Sequence, residues 1–341
     1  MPALEIEEVT TIEALEKLRP DWYALWVRCP TATPFQSPEW LIPWWRHIGE
    51  GELWTLTLRD RGHLVGLAPF YIYNKPGSPE REVFLVGLTT SDYLDALFDP
   101  GFATYGPAMI FAHLEAARQR WDVCDLQQLR SGSPLLHAML PRGWQEDITA
   151  DEPCTGLALY GTAGGLPRLI PLRLRKNLRN SWNRAERIGP VRVERAHEEN
   201  LEELLEALFR LHSARWSVQG LAGMLASEAV RNVHRETARA LLSLDILRLY
   251  GLRIADRLVA SLYGFTHISA GGKRAYAYLS GFDPAFAQLS VGTLLLGHAV
   301  QQAMDEGAAE FDFLRGRETY KSHWRVKNRL TYRRRLWHAS D

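Results

Sequence analysis

Five leucines, Leu201, Leu204, Leu205, Leu208 and Leu211, recur at spacings of three and four and mark one face of a helix over about 199–214. A basic helix runs from Leu172 to Ile188 and stops at Gly189-Pro190. Another fills 292–306 and ends at Gly307. Between these helices the pattern changes to period two or to short apolar runs. Strands are predicted at 246–254, 258–267, 274–281 and 310–314, with 190–195 and 330–337 as further ones. Earlier in the chain the pattern predicts a helix from Ile12 to Leu25, an aromatic stretch from Phe35 to Trp45, and strands at 53–58, 64–73, 83–88 and 123–126. A helix is predicted near 105–120, and Arg59 to His63 reads as a hairpin loop.

A breaker-rich connector near 150–167, carrying Asp151-Glu-Pro-Cys and Gly161-Thr-Ala-Gly-Gly, separates two halves. Leu157–Tyr160 is a strand that either half can claim. Each half opens on a helix, continues in strands, and places a helix between its late strands. The expected class is α/β of the α+β kind, with domains at 1–155 and 156–341, each a mixed, mostly antiparallel sheet flanked by helices. A length of 341 residues suits two cores, since a single core stops growing near ~250–300 residues. No repeat is visible between the halves.

Composition narrows the function classes. Lys plus Arg number 40 and Asp plus Glu 40, so net charge points to no polyanionic partner. The basic residues are nevertheless clustered, with nine Lys/Arg in 168–195. Trp182 is the one aromatic residue of the basic helix, a poor stacking platform for nucleic acid, so DNA is not an expected partner. Cys29, Cys124 and Cys154 are too far apart for a metal motif or a disulfide framework, which suits a reducing cytoplasm. The acidic start (Glu5, Glu7, Glu8) does not read as a signal peptide, and no apolar run approaches the ~20 residues that span a bilayer.

Candidate chemistry concentrates in the second half. Gln288-Leu-Ser-Val-Gly-Thr293 precedes a helix whose first N–H groups have no internal partner, an arrangement suited to a pyrophosphate. Ser290 is there to cap or to bind an anion, and Gly292 lets a ligand approach the backbone; an ordinary capped helix start is the plainer reading. In Phe311-Asp-Phe-Leu-Arg-Gly-Arg-Glu-Thr-Tyr-Lys321 the strand period turns Asp312 away from its aromatic neighbours, toward Arg315 or Arg317, as a site carboxylate or as half of a structural salt bridge. Tyr320 and Lys321 follow, a phenol able to protonate a leaving group and an ammonium able to hold an anion. His212 and Trp216 share a helix face, as an acceptor pocket or as a packed core pair. Ser91-Asp-Tyr-Leu-Asp95 in the first half, with Asp92 and Tyr93, is an acceptor-binding loop or a cap.

Together these segments resemble a family. Tyr276-x-Tyr-x-x-Gly-Phe-Asp-Pro, Ser290-Val-Gly-Thr-Leu-Leu and Phe311-Asp-Phe-Leu-Arg-Gly-x-Glu-x-Tyr-Lys-x-x-Trp324 look like the C-terminal half of the CelD-type acetyltransferases, bacterial members of the GNAT superfamily associated with cellulose or exopolysaccharide production. Phe35-Gln-Ser-Pro-Glu-Trp40, Gly66-Leu-Ala-Pro-Phe70 and Ser91-Asp-Tyr fit more loosely. The resemblance implies two tandem GNAT-like folds, a first lobe without catalysis, and an acyl-transfer site in the second. It implies acetyl-CoA or another acyl-CoA as co-substrate, no metal, and a primary amine of a small molecule, sugar or peptide as acceptor. The superfamily's donor loop is Gln/Arg-x-x-Gly-x-Gly/Ala; here Gln288-x-x-x-Gly292-Thr293 departs from it by one position.

On that resemblance the donor is held by Gln288, Ser290, Val291, Gly292 and Thr293, and its carbonyl is polarised near Leu279 and Ser280. Asp312, or water relayed by it, takes the amine proton and Tyr320 protonates the sulfur. His212, Arg215, Trp216, Arg315, Glu318 and Lys321 contact the acceptor, with Lys321 and Arg315 anchoring an anionic part of it. Fem-type peptidyltransferases have a similar doubled fold and use aminoacyl-tRNA, which the basic helix would then touch. A degenerate transferase acting as a scaffold is the remaining alternative.

Overall fold

Prolines and capping side chains set the first elements. The computed structural model describes residues 4–159, 165–218, 220–316 and 318–338. Strand β1 (Leu4–Val9) leads into α1 (Ile12–Lys17), where Thr11 accepts from the Ala14 N–H at 3.2 Å. The single helix expected over 12–25 is broken at Leu18, because Pro20 belongs in the first turn of a new helix, α2 (Arg19–Arg28). α3 (Pro38–His47) starts on a proline in the same way. There follow β2 (Glu52–Asp60), β3 (His63–Asn74), β4 (Arg81–Leu85), β5 (Leu97–Phe98), α4 (Gly106–Ala116), β6 (Val123–Arg130), α5 (Pro134–His137) and β7 (Trp144–Ala150).

The later elements begin with β8 (Cys154–Ala158), α6 (Leu166–Leu169), α7 (Leu172–Glu186), β9 (Val191–Arg195), α8 (Leu201–Ser217) and α9 (Glu228–Ser243). Next come β10 (Leu247–Ile254), β11 (Arg257–Ser269), β12 (Gly272–Phe282), α10 (Val291–Asp305), β13 (Glu310–Arg315), β14 (Lys327–Arg329) and β15 (Thr331–His338). The connector residues Tyr160 and Gly161–Gly164 lie outside the described residues.

The chain forms two units. The first comprises Met1–Glu152, Ser269–Gly271 and Arg329–Asp341, and the second Pro153–Ile268 and Gly272–Asn328. Sheet one runs β1-β2-β3-β4-β6-β15-β7, with β5 beside β3; sheet two runs β14-β8-β13-β12-β11-β10-β9. Both sheets are mixed and mostly antiparallel, as expected, and each contains a parallel pair, β4 with β6 and β12 with β13. In each case a helix, α4 or α10, makes the crossover. Read from β1 and from β9, the two strand orders correspond position by position. A structural repeat is therefore present where no sequence repeat shows.

One strand departs from the expected halves. The last strand, β15, sits between β6 and β7 in the first sheet, antiparallel to both, rather than in the second half. Its counterpart β8 pairs with β13 in the second sheet, which settles the strand near 157 on that side. Period counting missed β1 and β7. Strand β7 is exposed after Trp144, so it carries no apolar alternation to read. In the second unit, Phe311 and Phe313 of β13 pack with Trp324 and with Leu294 and Leu295 of α10. Leu178 of α7 closes on α10 at Gly297, 3.4 Å from where a Cβ would stand.

Candidate acyl-transfer site

Strands β12 and β13 pair only at their starts, Arg274–Tyr276 against Glu310–Asp312. A cavity of about 70 Å³ lies between their continuing ends. Ala277, Tyr278, Leu279 and Ser280 form one side, Phe313 and Arg315 the other, with His212, Trp216 and Tyr320 completing the wall. A larger cleft of about 270 Å³ lies at the start of α10, lined by Phe282, Ala287, Ser290, Val291, Gly292, Thr293, Leu295 and Leu296. The two share Arg215, Leu262, Ser280 and Tyr320. A ligand in the cleft therefore ends beside a second, smaller compartment.

Local sequence explains the cleft's floor. Asp283 accepts from the Ala285 N–H at 3.0 Å and starts a 3-10 turn on Pro284, which runs to Leu289. Ser290 then takes a left-handed conformation, φ +52°, and its carbonyl accepts from Thr293 and Leu294 N–H at 2.9 and 3.0 Å. Helix geometry leaves Val291 and Gly292 N–H without an earlier turn to bond to, and the dipole places partial positive charge there. A Cβ on Gly292 would meet only Phe282, at 3.7 Å, so this backbone stands open to a ligand.

The donor-loop frame differs from the expected one. Gln288 is exposed and lies outside the cleft wall. The residues lining the cleft at spacings of three and two are Ala287, Ser290 and Gly292. That is the spacing of the superfamily loop, with Ser290 standing at its first glycine in the conformation that glycine favours.

Helix α8 supplies the opposite wall. It crosses β12 so closely that a Cβ on Gly281 would fall 2.3 Å from the His212 nitrogen. Trp216 Nε1 donates to His212 Nε2 at 2.9 Å, and Arg215 Nη1 donates to Ser280 Oγ at 3.2 Å. Burial, and secondarily the Arg215 charge, push the His212 pKa down to about 4, so the ring is neutral at physiological pH. Burial likewise raises the Tyr320 phenol, which keeps its proton.

The matching family model is the acetyltransferase (GNAT) domain, over residues 173–322. The second unit carries a GNAT-type acyltransferase domain. Among solved structures the whole chain is similar to FemX, with 10% identity, TM-score 0.66, and 97% of this chain and 96% of that one covered. It is also similar to a conserved protein of unknown function from Bacteroides thetaiotaomicron (11%, TM-score 0.61, covering 99% and 100%) and to L-PGS from Bacillus licheniformis (15%, TM-score 0.56, covering 86% of each). At these identities the likeness is one of fold. A search of curated proteins finds no match.

Within the GNAT domain, two residues expected to do chemistry hold backbone instead. Asp312 is buried outside both cavity walls, and its Oδ1 accepts from the Leu314 N–H at 2.8 Å. Leu314 is left-handed, φ +58°, within a bulge in the β13–β8 ladder between Asp312 and Arg315. Lys321 donates to the Leu314, Arg315 and Gly316 carbonyls at 3.2, 2.7 and 3.4 Å and pairs with Glu318 at 3.0 Å. A bulge leaves backbone groups without ladder partners, and these side chains satisfy them. Neither is a free base or a free cation. Arg317, the other expected partner of Asp312, lies outside the described residues.

Asp92 and Tyr93 belong to the first unit and are buried there, where Gln36 donates to the Tyr93 carbonyl at 2.8 Å and Arg130 lies over its ring. They line neither cavity. Sequence reading missed Ser261, a fully buried serine on the cleft wall whose hydroxyl has no partner among the described residues. The signal was present: a lone serine inside the apolar run Leu258-Val-Ala-Ser-Leu. Among the described residues no group of His, Cys, Asp or Glu is arranged to hold a metal ion, and no helix is long and apolar enough to cross a membrane.

Proposed function

We propose that the second unit moves an acyl group from an acyl-CoA thioester to a primary amine. The observation that carries this reading is the apolar cleft at an open helix start, joined through Arg215, Ser280 and Tyr320 to a separate small cavity. The thioester supplies the activated acyl group. Val291 and Gly292 N–H hold the pyrophosphate, and the β12 edge at Leu279 and Ser280 orients the carbonyl. The amine nitrogen bonds to the acyl carbon as the C–S bond breaks; Tyr320 gives its proton to sulfur, and water at the cavity mouth takes the amine proton. The CelD-type motifs support placing the chain in that group, in a reducing cytoplasm that suits its three buried free cysteines, with an acceptor from envelope or exopolysaccharide metabolism.

The first unit serves as a non-catalytic lobe. At the start of its crossover helix, Pro107 lacks an N–H, and the Phe98 ring lies 2.7 Å from where a Gly106 Cβ would stand, filling the place a ligand would need. A second reading, transfer from aminoacyl-tRNA, is favoured by the likeness to FemX and by the exposed basic residues of α7.

Calorimetric titration with acetyl-CoA tests the proposal. The wild type should bind saturably. Gly292→Glu, which the open backbone accommodates sterically, should lose binding through an added charge where the pyrophosphate sits. Absence of binding by acetyl-CoA and longer acyl-CoAs, with salt-sensitive binding of tRNA, would move the assignment to the second reading.

A further inference from the structure

A histidine in the wall of the smaller cavity keeps one buried ring nitrogen with nothing to bond. Because Trp216 donates to His212 Nε2, the neutral imidazole carries its proton on Nδ1. His212 is 3% exposed, and Nδ1 has no partner among the described residues. A Cβ on Gly223 would lie 2.9 Å from both His212 Cε1 and Trp216 Cδ1, so the Gly223 backbone closes on the edge of this pair. A buried N–H left unsatisfied is costly and calls for an explanation.

The charges in the same wall point the same way. Lys321 is neutralised by Glu318 and engaged by carbonyls. Arg215 has no carboxylate partner among the described residues; it touches Ser280 and lies over the Trp216 and Phe282 rings at 6.0 and 5.8 Å. The ring's low pKa, about 4, keeps it a neutral donor rather than a second cation. The carboxylate of this wall, Glu318, is taken up by Lys321, and Arg315 adds a further cation to the lining.

We infer that His212 Nδ1–H and Arg215 together bind an oxyanion of the acceptor, so that the substrate is an amine bearing a carboxylate or a phosphate. This rests on the acyl-transfer reading and names the acceptor class for that site. Trp216 is then a positioning residue, fixing the tautomer that keeps the proton on Nδ1.

The test compares turnover of acetyl-CoA with paired acceptors: glycine against glycinamide, and glucosamine 6-phosphate against glucosamine. Acetyl-CoA affinity is measured separately by titration. At least one anionic amine should be preferred over its neutral partner by about 100-fold in kcat/KM, the better pair telling carboxylate from phosphate. His212→Phe should raise KM for the anionic acceptor about 10-fold while the acetyl-CoA Kd holds, and His212→Gln, which can accept from Trp216 and still donate, should recover most of it. Equal use of neutral and anionic amines, with acetyl-CoA bound normally, would overturn the inference and leave acyl transfer standing. Failure of acetyl-CoA to bind at all would overturn both.

Discussion

Asp312 shows how a residue in a suggestive place can be a support. Its carboxylate faces a strained Leu314 N–H, not a cavity. Asparagine keeps an oxygen for that bond, so Asp312→Asn should retain kcat within about threefold, whereas Asp312→Ala should lower stability by about 1–3 kcal/mol through the orphaned N–H. Tyr320→Phe should instead cut kcat by about 100-fold with unchanged stability, as expected for loss of a general acid. Chemical denaturation and steady-state rates separate the three variants. A second buried carboxyl, Asp95, accepts from Ser133 Oγ and the Ala96 N–H at 2.9 Å each, while its Oδ2 has no partner among the described residues. Burial pushes its pKa up to about 7. A raised acid favours the protonated fold, so this stability is complete below the unfolded pKa near 4 and is lost as pH rises through 7. Asp95→Asn should therefore raise stability at pH 8 by about 1–3 kcal/mol and leave it nearly unchanged at pH 4, as melting at the two pH values would show.

At the scale of elements, the helices were the most legible part, because α7, α8 and α10 carry their apolar residues at helical spacing. The turn into α10 was legible as a helix start, but which of its residues face the cleft was not. Which residue faces the cleft depends on the intervening 3-10 turn and on the left-handed Ser290, and neither leaves a period in the sequence. Likewise the Tyr-Lys pair after β13 was visible, while the bulge that engages the lysine was not, since no local signal distinguishes it from a plain strand end. Ser290 provides the check. Ser290→Gly relieves about 1 kcal/mol of left-handed strain and returns about 0.4–1 kcal/mol through a freer unfolded chain. It should leave melting temperature and acetyl-CoA affinity nearly unchanged. Ser290→Val puts a branched Cβ at positive φ and should lose both stability and binding.

For the whole molecule, the two-unit organisation was legible and the membership of the last strand was not. A strand chooses its sheet through distant partners, and Leu330–Trp337 reads the same in either. A fragment of residues 1–152 lacks the strand that joins β6 to β7 and should fail to melt cooperatively, with β7 in fast amide exchange. Adding back a peptide of residues 329–341 should restore protection in β7. A fragment of 153–329 contains every strand of its own sheet and should fold alone.

The crossing of β8 and β15 between the two repeats has a consequence for folding in company. After β7 the chain leaves its own repeat, and after β14 it returns, so each sheet is completed by a strand that continues from the other repeat. The first sheet stays open at one seam until the second unit has been synthesised, and during that interval an equivalent strand from a neighbouring molecule presents the same hydrogen-bonding edge. The same chemistry that closes the monomer can then close a pair, in the manner of exchanged arms, and refolding at high concentration would collect such partners while slow dilution would not.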